Sequence, residues 1–170
     1  MKLLIELLNG LDVDSITGDT NSTISLIQYN SRQILSGDLF VAISGTDCDG
    51  HDFISDAILA GAAAIVCERL PNKLIEDITY VKVENSAFAL SILSSNFYNN
   101  PSKEITLIGV TGTNGKTSVV YYLFNLFKKL NFKVGLLSTI DQKIDTKSYP
   151  STHTTPNPIE LNHALSLMVK

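Results

Sequence analysis

One heptapeptide constrains this chain more than any other segment: Thr111-Gly112-Thr113-Asn114-Gly115-Lys116-Thr117. Before it, Ile105 to Val110 is a continuous β-rich run, the pattern of a strand buried on both faces. After it, Val119, Val120, Leu123, Leu126, Phe127 and Leu130 recur at helical spacing, which predicts a helix over 117–130. Lys133 to Thr139 reads as a further strand. Strand, glycine-bearing turn, helix and strand in that order predict a right-handed βαβ unit.

A turn of this kind at a helix start aims backbone N–H groups at an anion, and its glycines let the backbone approach closely. Lys116 stands where the helix macrodipole disfavours a cation unless an anion is bound beside it. The segment therefore predicts an ATP-binding loop made of Gly112, Thr113, Asn114, Gly115, Lys116, Thr117 and Ser118. Lys116 is the expected catalytic cation on the β- and γ-phosphates, and Thr117 the expected second catalytic group, its hydroxyl a ligand for Mg²⁺. The loop is a variant: the glycine that opens a strict P-loop falls at Val110, with Gly109 one place earlier. The bland alternative is a strand-to-helix turn that carries a lysine by chance.

Composition narrows the function classes. The 170 residues are 44% hydrophobic and 18% charged, enough apolar material for a core and too little charge for disorder. Thirteen basic against 17 acidic residues leave a net charge of −4, which argues against a nucleic-acid partner held by phosphate neutralisation. Cys48 and Cys67 form no CxxC pair, so a disulfide scaffold or structural zinc is not expected, and both read as reduced thiols. No apolar run approaches the roughly 20 residues of a membrane span. A cytoplasmic location without membrane insertion is the expectation.

The chain reads as two domains, 1–100 and 104–170, divided at the polar stretch Asn99-Asn100-Pro101-Ser102-Lys103-Glu104. In the first, Met1 to Leu8 reads as a short amphipathic helix. Ser25 to Tyr29, Leu39 to Ile43, Ala63 to Cys67 and Tyr80 to Val83 read as strands, and 53–60 and 87–97 as helices. The fold class expected is α/β: a small mixed N-terminal domain followed by the start of a P-loop, Rossmann-like ATPase domain.

TGTNGKT resembles the ATP loop of the Mur ligases, which build the peptide stem of peptidoglycan and so serve cell-wall formation, cell shape and division. Three other segments agree in chain order. Asn30-Ser31-Arg32 with Ser36-Gly37-Asp38-Leu39-Phe40-Val41-Ala42 resembles the family's DSR…GDLFVA element, with asparagine in place of the usual aspartate. Gly45 and Asp49-Gly50-His51-Asp52-Phe53, followed by Ala57 and Gly61-Ala62, resembles its G…DGHDF…A…GA stretch. Thr154-Thr155-Pro156 with Pro158-Ile159-Glu160-Leu161 resembles its TTP-x-P segment. TGTNGKT together with TTP points to the UDP-N-acetylmuramoyl-tripeptide synthetase branch.

The resemblance implies an ATP-dependent ligase that adds the third amino acid to UDP-N-acetylmuramoyl-dipeptide through an acyl phosphate. It implies that 1–100 holds the UDP-substrate, with Ser31 on the UDP moiety and Thr46, Asp47 and Cys48 in the uridine loop. Thr154, Thr155 and more weakly His153 are the implied contacts to the muramoyl-peptide, and Thr154 or Thr155 could equally cap a helix that begins near Pro156. It further implies that this chain is an N-terminal portion with little activity of its own, whose partner would be the C-terminal part that takes the amino acid. His51 reads as a helix-start residue, His163 as a helix-surface residue, and Tyr121, Tyr122, Phe124 and Phe127 as helix packing. Two other readings stay open: a non-catalytic module binding ATP or a UDP-sugar, and a small-molecule P-loop kinase.

Overall fold

Short β-branched and apolar runs spaced by turns build the first unit around a five-stranded sheet. A computed structural model describes residues 1–45, 48–144, 147–150 and 156–169, and the contacts divide the chain into Met1–Phe97 and Tyr98–Lys170. The first unit contains β1 (Lys2–Leu3), α1 (Leu4–Leu7), β2 (Ser15–Thr17), β3 (Thr23–Ile24), β4 (Ile27–Gln28) and β5 (Leu39–Val41). α2 (Ile54–Leu59), β6 (Ala64–Cys67), β7 (Thr79–Lys82) and α3 (Ser86–Phe97) follow. The sheet order is β2-β7-β6-β5-β4, with β4 to β7 parallel and β2 antiparallel on β7.

Register sorts the core. Phe40 pairs with Ile65 and Ile65 with Tyr80, so these side chains share one face, where Ile54 and Ala57 of α2 join them. The alternate residues Leu39, Val41, Ala64, Val66 and Val81 face the opposite side, and α3 packs on the sheet there, burying Ala89, Leu90 and Leu93. A parallel sheet covered on both faces explains why β5 and β6 are wholly buried and read as apolar runs rather than as an alternation. The expected strand at Ser25 to Tyr29 is divided: β3 pairs with β1 outside the main sheet, and only β4 joins β5. The expected 53–60 helix begins as a short 3-10 turn, Gly50–Phe53, before α2, and Ala60 is exposed rather than part of a buried face.

The second unit contains α4 (Lys116–Lys129), β8 (Gly135–Leu137), β9 (Asp141–Ile144), β10 (Lys147–Pro150) and α5 (Pro158–Val169). The strands form an antiparallel sheet ordered β10-β9-β8. A 3-10 turn at Pro101–Lys103 packs on α5, so the polar stretch read as a boundary contributes to this unit.

Two expectations fail here. Ile105 to Val110 is not a strand: the segment has no ladder partner among the described residues, and Leu107 and Ile108 stand 58% and 55% exposed. β8, which should have lain beside it in a βαβ unit, pairs with β9 instead. A strand needs a partner for its N–H and C=O groups, and an apolar run supplies the propensity without the partner. Second, α5 starts at Pro158, two residues past Pro156, and its cap is not the expected threonine. Asn157 Oδ1 accepts from Glu160 N at 2.9 Å, so asparagine is the cap and Pro158 takes the first helical position.

Candidate functional site

The loop before α4 differs from the entries of the other two long helices, α3 and α5, in how it satisfies its backbone. α3 is capped by Asn85, whose Oδ1 accepts from Phe88 N at 2.8 Å, and α5 by Asn157. α4 starts on Gly115, which has no side chain to cap with. Val119 N donates to Gly115 O at 2.9 Å, so the amides of Lys116, Thr117 and Ser118 stand ahead of the first intrahelical bond. Three successive donors stand at the positive end of a 14-residue helix, an arrangement that favours an anion.

Backbone conformation explains the glycines. Gly115 lies at φ +80° and Gly112 at φ +148°, values that favour glycine, and a Cβ on Gly115 would meet nothing within 4 Å. The requirement there is torsional rather than steric. Lys116 folds back over the turn, its Nζ donating to Gly112 O at 2.5 Å and Thr113 O at 3.2 Å. The ammonium thus sits beside the amides that an anion would meet. Residues 111–116 are exposed and Thr117 is half-buried on the first turn.

The far side of α4 is anchored. Phe124 is buried, and the Tyr121 hydroxyl donates to Asp141 of β9, which also accepts from Ser138 Oγ at 3.3 Å. Lys143 Nζ lies 3.6 Å from Asp141 and 4.6 Å from the centre of the Tyr121 ring. The Tyr121 hydroxyl holds the Asp141 carboxyl below its ordinary range, and that carboxylate raises Tyr121 in turn. Tyr122, expected to pack, is 75% exposed, whereas Tyr121 and Phe124 face the sheet. The packed stripe is rotated from the expected one, since Val119, Leu126 and Leu130 are also exposed.

In the first unit the carboxyl ends of four parallel strands carry the polar residues, the edge at which open α/β sheets bind ligands. Ser31 follows β4 on a 3-10 turn, Ser31–Gln33, whose cap is Asn30: its Oδ1 accepts from Arg32 N at 3.1 Å. Asparagine makes this bond as aspartate would, so the departure from DSR leaves the turn intact.

Around the end of β6 the same edge holds a network that sequence reading missed. Asp49 takes His51 N at 3.0 Å, His51 Nδ1 at 2.6 Å and the Arg69 guanidinium. His51 Nε2 accepts from Glu68 N at 3.0 Å and from Arg69 N at 3.3 Å. Glu68 in turn accepts from Ser44 Oγ at 3.3 Å, Ser86 N at 3.0 Å and Ser86 Oγ at 2.9 Å. The His51 amide, then its ring and Arg69, pull Asp49 down to about 2, and the Ser86 amide chiefly lowers Glu68. Partners 17 to 24 residues apart leave no local motif, and only the density of polar residues in Asp49-Gly50-His51-Asp52 hinted at it.

Of the expected site residues, the structure brings 112–118 together at one helix start and places Ser31 at the sheet edge of the other unit. His153, Thr154 and Thr155, with Thr46 and Asp47, lie outside the described residues. Burial pushes the Cys67 thiol up to about 11, as suits a core residue, and Cys48 is exposed. His163 is exposed, its ring 5.5 Å from that of Tyr98. Among the described residues no group of three or more His, Cys, Asp or Glu could hold a metal ion.

A sheet with a polar carboxyl edge and a separate helix with a glycine-lysine entry define a two-unit α/β protein. The chain belongs to the Mur ligase family: residues 23–98 match the family profile described as "Mur ligase family, catalytic domain", and 110–170 match "Mur ligase middle domain". It is 45% identical over 165 residues to the UDP-N-acetylmuramoyl-L-alanyl-D-glutamate–2,6-diaminopimelate ligase of Phocaeicola vulgatus, covering 97% of this chain and 34% of that one. The Bacteroides fragilis ligase of the same name is likewise 45% identical, again over 97% and 34%. The chain therefore spans about a third of the length of the curated relatives it matches.

Among solved structures, the MurF ligase of Thermotoga maritima in complex with ADP shares 32% identity over 86% of this chain and 29% of that one, with a TM-score of 0.54. A solved UDP-N-acetylmuramoyl-L-alanyl-D-glutamate–2,6-diaminopimelate ligase superposes with a TM-score of 0.68 at 17% identity, over 97% of this chain and 33% of that one, a likeness of fold.

Proposed function

We propose that this chain is the N-terminal portion of an ATP-dependent ligase that joins the third amino acid, of the diaminopimelate class, to UDP-N-acetylmuramoyl-dipeptide. The observation that carries the reading is the helix entry at Gly115-Lys116, three amides and an ammonium gathered where a side-chain cap would otherwise stand. Identity of 45% to diaminopimelate ligases supports the choice of acceptor. Residues 1–100 would bind the UDP-substrate and 104–170 would begin the ATP-binding domain.

In this reading the amides of Gly112 to Ser118 hold the triphosphate, and Lys116 leaves the loop carbonyls to follow the charge on the transferring γ-phosphoryl group. The substrate carboxylate receives that group, and the resulting acyl phosphate is open to attack by an amine. The donor set fits Mg²⁺: one Thr117 hydroxyl on the first turn beside phosphate oxygens and water suits a small octahedral cation. Mg²⁺ there would neutralise phosphate charge. Ser31 would contact the UDP end, and Thr154, Thr155 and His153 the muramoyl-peptide near its reacting carboxylate.

Calorimetric titration of the 170-residue chain with ATP and Mg²⁺, and separately with UDP-N-acetylmuramoyl-dipeptide, tests this. Binding of both with little turnover is the expected result. ATP-dependent phosphorylation of a small acceptor by this chain alone would overturn it in favour of a kinase.

A further inference from the structure

The imidazole of His51 is used on both sides and is 8% exposed. Accepting from two consecutive backbone amides requires Nε2 to be unprotonated, which puts the ring proton on Nδ1, where Asp49 accepts it. A ring held this way cannot touch a ligand; it can only hold other groups in place.

What it holds are the two stems of the loop after β5, 43–45 and 48–50. Ser44 and Asp49 close the loop as an isolated antiparallel bridge, Gly45 N donates to Cys48 O at 3.1 Å, and Gly50 N donates to Ile43 O at 2.8 Å. His51 and Arg69 tie the Asp49 end to β6, while Glu68 ties the Ser44 end to β6 and, through its other oxygen, to the start of α3. The two stems of the loop after β5 (43–45 and 48–50), the end of β6 and the entry of α3 are thus tied together at the carboxyl edge that also carries Ser31.

We propose that His51 is a positioning residue for the uridine end of the substrate: it fixes the two stems of the loop after β5, 43–45 and 48–50, at the sheet edge and thereby shapes the surface a nucleoside diphosphate meets beside Ser31. This rests on the UDP-substrate reading above. The device is directional. An acceptor at the Nε2 position is what the Glu68 and Arg69 amides need, so a side chain that offers one can substitute and one of equal bulk without it cannot.

The test compares His51→Gln, which offers an amide oxygen, with His51→Phe, which fills the space and offers none. Titration of the 170-residue chain with UDP-N-acetylmuramoyl-dipeptide is expected to show affinity weakened about tenfold or more in His51→Phe and largely recovered in His51→Gln. ATP binding, seated in the other unit, stays unchanged in both. Equal affinity in His51→Phe and wild type, or a glutamine variant as weak as the phenylalanine one, overturns the proposal. Should His51→Phe fail to fold, imidazole ¹⁵N shifts of the wild-type chain decide it: the Nδ1–H tautomer is expected, and the Nε2–H tautomer overturns the proposal. Failure of the wild type to bind the UDP-substrate would instead sink the substrate reading and this inference with it.

Discussion

Lys116 and the glycines around it separate binding from stability. Lys116 is exposed and bonds only loop carbonyls in the contacts described, so Lys116→Ala is expected to leave the urea midpoint unchanged. The same variant should weaken ATP binding by about 10- to 100-fold, the loss of a charged hydrogen bond worth about 1.5–3 kcal/mol. Calorimetry and denaturation on one preparation check both halves. Gly115→Ala acts by torsion alone and should cost about 1–2 kcal/mol. Gly50→Ala should cost more, because its Cβ would lie 2.6 Å from Ile43 N and 2.8 Å from Ile43 O, both backbone atoms that cannot swing away. Equal midpoints for the two variants would refute the steric account.

Helix entries and the carboxyl edge make separate predictions. Asn157→Ala removes the cap of α5 and should lower stability by about 1 kcal/mol, read from urea denaturation followed by circular dichroism. Asp49 has a folded value near 2 against an ordinary 3.8, so its ionised form is favoured by folding. Its stabilisation is complete above about pH 4 and is lost as pH falls from there towards 2. Glu68 is shifted in the same direction and reinforces the trend. Acid titration of the unfolding midpoint should therefore show a smaller loss over that window in Asp49→Asn than in wild type. The central strands of the first unit were readable because burial on both faces makes a parallel strand a plain apolar run, as in Leu39–Val41 and Ala64–Cys67. Ser15–Thr17 was not readable, since all three of its residues are exposed and its strand state comes from pairing with β7.

Taken as a molecule, the chain should show unequal local stability. β5, β6 and β7 are hydrogen-bonded within a covered sheet, whereas Ile105–Val110 has no ladder partner among the described residues. Hydrogen exchange is expected to be slowest at Ile65 and Val66 and fast across 106–110; equal protection would contradict this architecture. Thiol labelling at pH 8 should modify Cys48 quickly and Cys67 only after unfolding, given burial of the latter and its raised value of about 11.

The glycine-lysine turn, its helix and the α/β alternation of the first unit were legible from residue order, because torsion at glycine, helical periodicity and the macrodipole are local properties that a short window contains. The latch of Asp49, His51, Glu68 and Arg69, the rotated stripe of α4 and the partners of β8 came from folding alone. Each depends on which distant backbone group a side chain or strand edge finds, and a hydrogen bond between residues far apart in the chain leaves no periodicity to read.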